Sequence, residues 1–509
     1  MQTITITPDL VLTPTMVTAV ARNHARVDLS PESAAQIKHC RSSLESVLAD
    51  GLPHYGINTG FGSLSNQRIA PEDLENLQRN LIRSHAAGVG DPLEIEVVRG
   101  MMFVLACSLA RAKSGVRVEL VEQLVSMLNC SITPVVPELG SVGASGDLAP
   151  LSHIAQVMIG EGLATVNGSS QLSGLEALAK HNLKPLTLQA KEGLALINGT
   201  HLMTARFALI HEDLTQLVDA ALMSNAMSID AARASHGYLD ERVYEARNQP
   251  GAAEVATTMR ELLKGSTIVE SHAENDPRVQ DPYSFRCAPL VLGSVLDSFR
   301  SCQSALANEL GAVTDNPLIF QTKTDTPDIV SAGCFHGMPV ALPLDTLAIG
   351  IAHLTGIAER RMYHILSVFD PESQLRAFMS PKPGVMSGFM IVQYSAAAIC
   401  NELIGLANPA SVANLSTCAG MEDYNSFGPR SAAKASRALK LARSVIAAEL
   451  LCSAEGIDAH RPFVSGNRVE AAIQSIREVV PTLTEDRSPS PDIQRIEELI
   501  CANTFAFTL

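Results

Sequence analysis

Phe285 to Val313 reads FRCAPLVLGSVLDSFRSCQSALANELGAV, and the placement of its apolar side chains decides the fold class. Leu292, Leu296, Phe299, Leu306 and Leu310 recur in alternating steps of three and four, and only Gln303 interrupts the stripe. At 3.6 residues per turn this spacing lines one face, so the stretch predicts a long core helix. Leu347, Ile351, Leu354 and Ala358 predict a second such helix, and Leu439, Ala442, Ile446 and Leu450 a third, each with Arg, Glu or Lys on the opposite face. Long helices in series suggest a bundle.

Composition agrees. Hydrophobic residues make up 46% of the chain, yet tryptophan is absent and aromatics are 4%, so the interior is built mostly from Ala, Leu, Val, Ile and Met. These are good helix formers or ordinary core residues. The length of 509 residues suggests roughly three domains at about 150 residues each, a count that a long bundle can defeat. Strand signals are few: Thr3-Ile4-Thr5-Ile6 alternates, and Ala164-Thr165-Val166-Asn167-Gly168 predicts a short hairpin through its Asn-Gly pair. The polar stretch Thr484 to Pro491 reads as a surface loop before a final helix. The class is mainly α.

A formal charge of -15 without clustered Lys and Arg argues against a nucleic-acid-binding surface and for a small-molecule partner. The ten cysteines contain no CxxC pair, which argues against both a zinc knuckle and a disulfide framework. They read as reduced, mostly buried thiols, and no metal site is predicted. Met1 to Ile6 lacks the basic region and apolar run of a signal peptide, so cytoplasmic residence is expected. Pro383 to Asn401 is uncharged and long enough to cross a bilayer, but Ser387, Gln393, Tyr394 and Ser395 interrupt it. A buried helix, and no membrane span, is the expectation.

Function then falls to the loops. Three are rich in glycine and small polar residues beside apolar segments: Tyr55 to Gly62, Gly140 to Asp147, and Asn198-Gly199-Thr200-His201. Glycine there permits positive φ and close backbone approach, as a tight turn over a ligand requires. For any one such loop, a plain connection is the default reading.

Gly143-Ala144-Ser145-Gly146-Asp147-Leu148-Ala149-Pro150-Leu151-Ser152-His153 resembles the signature of the aromatic amino acid ammonia-lyases. In that family the Ala-Ser-Gly tripeptide cyclises, with loss of two waters, into 4-methylidene-imidazol-5-one (MIO), whose exocyclic carbon accepts a nucleophile. Small Ala144 and unbranched Gly146 allow the compressed backbone that such a closure needs. Asp147 and Pro150 are suited to starting a helix, whose positive end would favour electron density on the ring. A mere helix cap would not need all eleven residues.

Further motifs carry the resemblance along nearly the whole chain. Tyr55 to Gly62 resembles the family's mobile loop, with Tyr55 implied as the base; a tyrosine packed on Phe61 is the plainer reading. Lys191 to Thr200 resembles the segment whose asparagine, here Asn198, holds the substrate carboxylate and the prosthetic ring. Gln280-Asp281-Pro282-Tyr283-Ser284-Phe285-Arg286-Cys287 resembles the segment supplying ring-facing Gln280, Tyr283 beside the prosthetic group, and Arg286 as a bidentate carboxylate clamp. An ion pair between Arg286 and Asp281 is the competing reading. Thr314 to Leu318 and Phe335-His336-Gly337 complete the pattern.

The resemblance implies a long-helix bundle of the ammonia-lyase type, with a smaller N-terminal domain over residues 1–190 carrying the prosthetic loop and the bundle and C-terminal helices over 191–509. It also implies a homotetramer with shared active sites, and no external cofactor. Leu81 to Gly88 resembles the selectivity segment of the histidine-specific members, where His85 can hydrogen-bond an imidazole, and Glu422 matches their glutamate. The implied reaction is elimination of ammonia from L-histidine to trans-urocanate. Gly420-Met421, His201 and Glu372 depart from the histidine-type pattern. A 2,3-aminomutase, a lyase for tyrosine or a modified histidine, a silent helical scaffold and a helical lyase with a serine base are the alternatives. The intact Ala144-Ser145-Gly146 argues against the last two.

Overall fold

A computed structural model describes residues 2–48, 53–54, 56–60, 62, 67–274, 276, 278–322, 327–367 and 371–507. Helices dominate, and the three predicted stripes all lie in long ones. Leu347, Ile351, Leu354 and Ala358 are buried within helix Met338–Leu366, as are Leu439, Ala442, Ile446 and Leu450 within Gly428–Ala459.

The first stripe needs a correction. Its helix is Ala288–Glu309, preceded by a separate helical turn at Tyr283–Arg286. Pro289 sits in the first turn, where its missing N–H costs no bond, and Gly311 follows the end with φ 78, the conformation that stops a helix. The buried row is Leu292, Val295, Phe299, Cys302 and Leu306, and Leu296 is only half-buried.

Two compact units form, each assembled from three separated segments: 1–212, 303–345 and 409–433 in the first, 213–302, 346–408 and 434–509 in the second. In the first unit, strand Thr3–Ile6 pairs in parallel with Arg26–Leu29, a partner the sequence did not announce. Leu163–Val166 forms the expected hairpin with Leu172–Ser173, turning through Asn167 and Gly168 at φ 50 and 67, and also pairs with Ile132–Pro134. Helix Ile95–Ala110 is buried continuously from Val97, as a helix apolar on all sides must be. Its Arg99 is 1% exposed and donates to the carbonyls of Val20 and Leu128, tying three helices together; burial lowers its pKa to about 10. Helices Leu74–His85, Leu148–Met158 and Glu192–Ile197 pack against one another in pairs, and this trio frames the candidate site.

In the second unit, helices Pro250–Leu262 and Ser490–Cys501 both pack on Asn467–Val479, and residues 484–489 form the expected loop. The expectation of a buried helix near 383–401 does not hold. The helix is Met390–Ala407, and Ile391, Tyr394 and Ile404 stand 57%, 59% and 68% exposed while only one edge, including Val392, Ala396 and Leu403, is buried. By length and composition this helix and Met338–Leu366 could each cross a bilayer, with 22% and 56% of their apolar windows buried. Polar ties interrupt the former: Gln393 donates to Glu359 at 2.6 Å, and Glu402 pairs with Arg437 at 2.8 Å. None of the ten cysteines is in a disulfide, but four are buried, four intermediate and two exposed, so the thiols are less buried than the composition suggested.

At the centre of the second unit, Arg361 and Glu449 are each 0% exposed and joined at 2.6 and 3.0 Å, and Ser224 and Ser228 donate to the same carboxylate at 2.6 and 2.7 Å. Arg361→Met leaves that carboxylate buried without a cation, so a cost of about 3–5 kcal/mol is expected. The urea midpoint reads it. Arg361→Met/Glu449→Leu should recover most of the loss, and a single variant as stable as wild type would refute the reading.

Candidate active site

Residues 141–147 form a turn whose shape is set by backbone contact. Gly143 and Gly146 have φ 72 and 75, and Ser141 closes the turn by donating to the Gly146 carbonyl at 2.8 Å and accepting the Gly143 N–H at 3.0 Å. Gly199 then clasps it from beside: the Gly199 N–H donates to the Ser145 carbonyl at 3.2 Å, and the Asp147 N–H to the Gly199 carbonyl at 2.7 Å. A Cβ at residue 146 would press into that carbonyl, so only glycine fits. On the other flank, the Phe427 N–H donates to Val142 O at 2.9 Å and Ser426 Oγ to Gly143 O at 3.1 Å.

The helix expected after this turn is Leu148–Met158, but Asp147 does not cap it. Its carboxylate accepts the N–H groups of Leu202 and Met203, at 2.8 and 3.3 Å, capping helix His201–Ala231 instead. Asp147 is fully buried, and desolvation pushes its pKa up to about 7 despite those two donors.

Ser145 opens onto a cavity of about 480 Å³. Its hydroxyl donates to Glu422 Oε1 at 3.3 Å, and Thr417 donates to Oε2 at 2.8 Å. His85, the last residue of helix Leu74–His85, lines the same cavity. Its Nδ1 lies 2.9 Å from the Leu81 carbonyl, which can only accept, so Nδ1 carries the proton and Nε2 keeps its lone pair. Burial lowers the His85 pKa, so the ring is neutral at neutral pH. Ser145, His85 and Glu422 thus line one cavity, with Ala144 and Gly146 beside Ser145 in the turn.

Asn198 is buried one residue before Gly199, and its side chain is directed at Asp315 and the Asn316 carbonyl. Phe335 does not line the cavity; it is half-buried beside His336, which stacks on Tyr424 and donates from Nε2 to the Tyr424 carbonyl at 3.1 Å. Gln280, Tyr283 and Arg286 lie in the second unit. Gln280 is exposed, Tyr283 is 70% exposed, and the Arg286 guanidinium lies 4.4 Å over the Tyr283 ring. Arg286 donates to the backbone carbonyl of Asp281 at 3.0 Å and makes no ion pair with its carboxylate, which the Ser235 N–H engages at 3.0 Å. Tyr55, and Phe61 proposed to pack on it, lie outside the described residues.

The sequence reading missed much of the wall. Leu77 and Asn80, which precede the Leu81–Gly88 segment, line the cavity with Leu81 and Ser84 at i, i+3, i+4 and i+7, a helical face visible in the spacing once the pocket side is known. Cys418, Leu194 and Ile197 also line it. Two of the departures fall away from the cavity. His201 is 2% exposed and unpartnered among the described residues, with its pKa lowered by burial to about 4, and Met421 is 62% exposed. Among the described residues no group of three or more His, Cys, Asp or Glu could hold a metal ion.

Residues 12–478 match the sequence profile described as aromatic amino acid lyase. A histidine ammonia-lyase of Anaeromyxobacter dehalogenans is 44% identical over 496 residues, covering 96% of this chain and 97% of its own. The crystal structure of histidine ammonia-lyase from Trypanosoma cruzi superposes with a TM-score of 0.90 at 36% identity, covering 99% of this chain and 94% of that one. A phenylalanine aminomutase of Pantoea agglomerans superposes at 0.92 with 31% identity, covering 99% and 100%.

The Asp147 carboxyl generates a prediction for stability. It titrates near 7 when folded against 3.8 in the reference state, so between those values the folded chain holds the extra proton. That stabilisation is complete below 3.8 and lost as pH rises through 7, at about 1.4 kcal/mol per unit. Asp147→Asn should remove this contribution, so the gap in thermal midpoint between variant and wild type changes from pH 5 to pH 7 in the variant's favour. A pH-independent gap would refute it.

Proposed function

Because the chain belongs to the aromatic amino acid lyase family, we propose that it is a carbon-nitrogen lyase that eliminates ammonia from L-histidine to give trans-urocanate. The observation carrying this is the glycine-locked turn whose Ser145 hydroxyl meets Glu422 in a cavity also lined by His85. The relatives named histidine ammonia-lyase support the substrate.

Residues 144–146 fit the prosthetic group that the family implies. Gly146 has no room for a side chain, its nitrogen carries no substituent to obstruct closure onto Ala144, and Ser145 faces open space. Once formed, the group supplies an electron-poor carbon at the Ser145 position, to which an amine can add. The rest is the work of this chain's side chains. His85 Nε2 and the Glu422 carboxylate accept hydrogen bonds from the imidazole N–H. Leu77, Leu81, Leu194 and Ile197 exclude water around the ring, which strengthens those bonds. With sites shared between copies, as the family resemblance implies, Arg286 clamps the substrate carboxylate, Gln280 and Phe335 border the substrate, and Tyr283 stands beside the prosthetic group. Tyr55 removes the β-proton, which requires its phenol to be brought below its ordinary pKa of about 10.

The enzyme works as a homotetramer with shared sites. The half-exposed stack of Arg286 on Tyr283 and the apolar Ile391, Tyr394 and Ile404 on an outer helix support an interface with other copies. Ten cysteines outside any disulfide support a reducing, cytoplasmic setting.

Intact-protein mass is expected to fall short of the sequence mass by two waters, and Ser145→Ala to retain the uncyclised mass and lose turnover. Offered L-histidine, L-tyrosine and L-phenylalanine separately, the wild type should convert histidine to urocanate; a β-amino acid product would instead mark an aminomutase. Glu422→Ala should cut kcat/KM for histidine by about 10²-fold, roughly one hydrogen bond to a charged acceptor. A cyclised protein that ignores histidine and deaminates another amino acid would defeat the substrate assignment.

A further inference from the structure

The segment that carries Gln280, Tyr283 and Arg286 is turned the opposite way from an ordinary surface loop. Its apolar members face outward, Val279 at 98% and Tyr283 at 70% exposure, while the charged Arg278 and Asp281 are turned in, and Asp281 is 4% exposed. Charged groups are buried only where partners meet them. The partners here are the residues that follow helix His201–Ala231. Arg278 donates to the Ala232 carbonyl at 3.2 Å and to the Arg233 carbonyl, and pairs with Asp276 at 3.1 Å. The Asp281 carboxylate accepts the Ser235 N–H at 3.0 Å and the Ser235 hydroxyl at 2.5 Å, both at Oδ2, with Arg278 4.0 Å from Oδ1.

Arg286 is held from the same residue. Its Nε donates to the Asp281 carbonyl at 3.0 Å and its guanidinium carbon lies 4.4 Å from the centre of the Tyr283 ring, while Nη1 and Nη2 make no hydrogen bond or ion pair among the described residues. A guanidinium presents its five N–H donors in one plane, with two edges that can each grip a carboxylate: Nε with one Nη, or the two Nη together. With Nε engaged by a backbone carbonyl, the Nη1–Nη2 edge is the fork that remains, and the aromatic ring restrains rotation of the plane. Part of the rotamer freedom that a loose arginine would give up on gripping an anion is therefore already lost on folding.

We propose that Asp281 is a positioning residue: anchored by Ser235, it turns Arg286 so that the Nη1–Nη2 edge is the one offered to the substrate carboxylate. This rests on the reading above that Arg286 holds that carboxylate, adds how the arginine is aimed, and applies to whichever amino acid is used. Asp281 works at both of its ends. Its side chain fixes residue 281 to the turn at Ser235, its carbonyl fixes the arginine, and neither touches a reacting atom.

A double-mutant cycle on the assembled enzyme tests it, with whichever of the three amino acids the wild type deaminates as substrate and kcat taken per cyclised site from intact mass. Arg286→Ala is expected to raise KM by about 10²-fold, the loss of a two-pronged charged pair. Asp281→Ala should raise KM about tenfold with kcat little changed, and Ser235→Ala, which removes the hydroxyl and leaves the N–H, about threefold. In the Arg286→Ala background both substitutions should leave KM where it is, because the group they aim is gone. A merely structural anchor would raise KM by the same factor with or without Arg286, or lower the melting midpoint with KM unchanged, and either result overturns the proposal. An unchanged KM in Arg286→Ala would overturn the clamp reading and this proposal with it, an outcome distinct from a working clamp that ignores Asp281. Should Asp281→Ala fail to fold, the milder Ser235→Ala carries the cycle alone.

Discussion

Two backbones, those of Gly146 and Gly199, lie against each other with no room for a side chain between them, and much of the site follows from that contact. The paired bonds from the Gly199 N–H to Ser145 O and from the Asp147 N–H to Gly199 O hold residues 145–147 against the start of helix His201–Ala231. That grip places Ser145 toward the cavity and draws the Asp147 carboxylate onto the helix N-terminus. Because the two segments are far apart in sequence, the turn takes its shape only after the surrounding unit has folded. Local propensity alone would leave a glycine-rich loop with many conformations.

Behind the turn the interior is dry, and its ionisable groups answer to that dryness in different ways. His201 stays neutral because the loss of water outweighs the pull of Asp315, and Asp147 is shifted to about 7 even with two backbone donors. Asp315 meets the same problem by taking a full positive partner, Lys191, at 2.6 Å. The distinction matters for function. A group that can change its protonation cannot hold a neighbour in one direction, whereas an ion pair supported by the Asn316 N–H can.

The sequence made the fold class and the core of the site legible for different reasons. Long helices broadcast a 3.6-residue period, so Leu347 to Ala358 and Leu439 to Leu450 could be placed directly, while the slip from Leu296 to Val295 reflects a helix that starts three residues later than its stripe. Ala144, Ser145, Gly146, His85 and Glu422 were legible because the chemistry needs those residue types in a fixed string or pair. Leu77 and Asn80 were not, because a helical face shows its period without saying what lies opposite. The role of Asp147 also escaped, since a carboxylate just before one helix looks like its cap, and nothing local reveals that it caps another 55 residues away. Met390–Ala407 misled for a related reason: an uncharged composition does not by itself say how much of a helix is buried.

The defined polar groups of the site point to how it would choose among substrates. His85 offers a lone pair at Nε2, and Glu422 offers a carboxylate held by Thr417. Both accept and neither donates. A ring that brings an N–H meets them. A phenyl ring fills the same volume yet brings no N–H to Glu422, and sites built around such a bond discriminate by about 10⁴–10⁵ against the analogue lacking it. Packing against Leu77, Leu81 and Ile197 would separate rings of similar size by far less, about 10–200-fold per methylene. Selectivity in this pocket therefore rests on unmet acceptors more than on shape, which is why Gly420 and Met421, lying outside the wall, can depart from the family pattern while His85 and Glu422 keep to it.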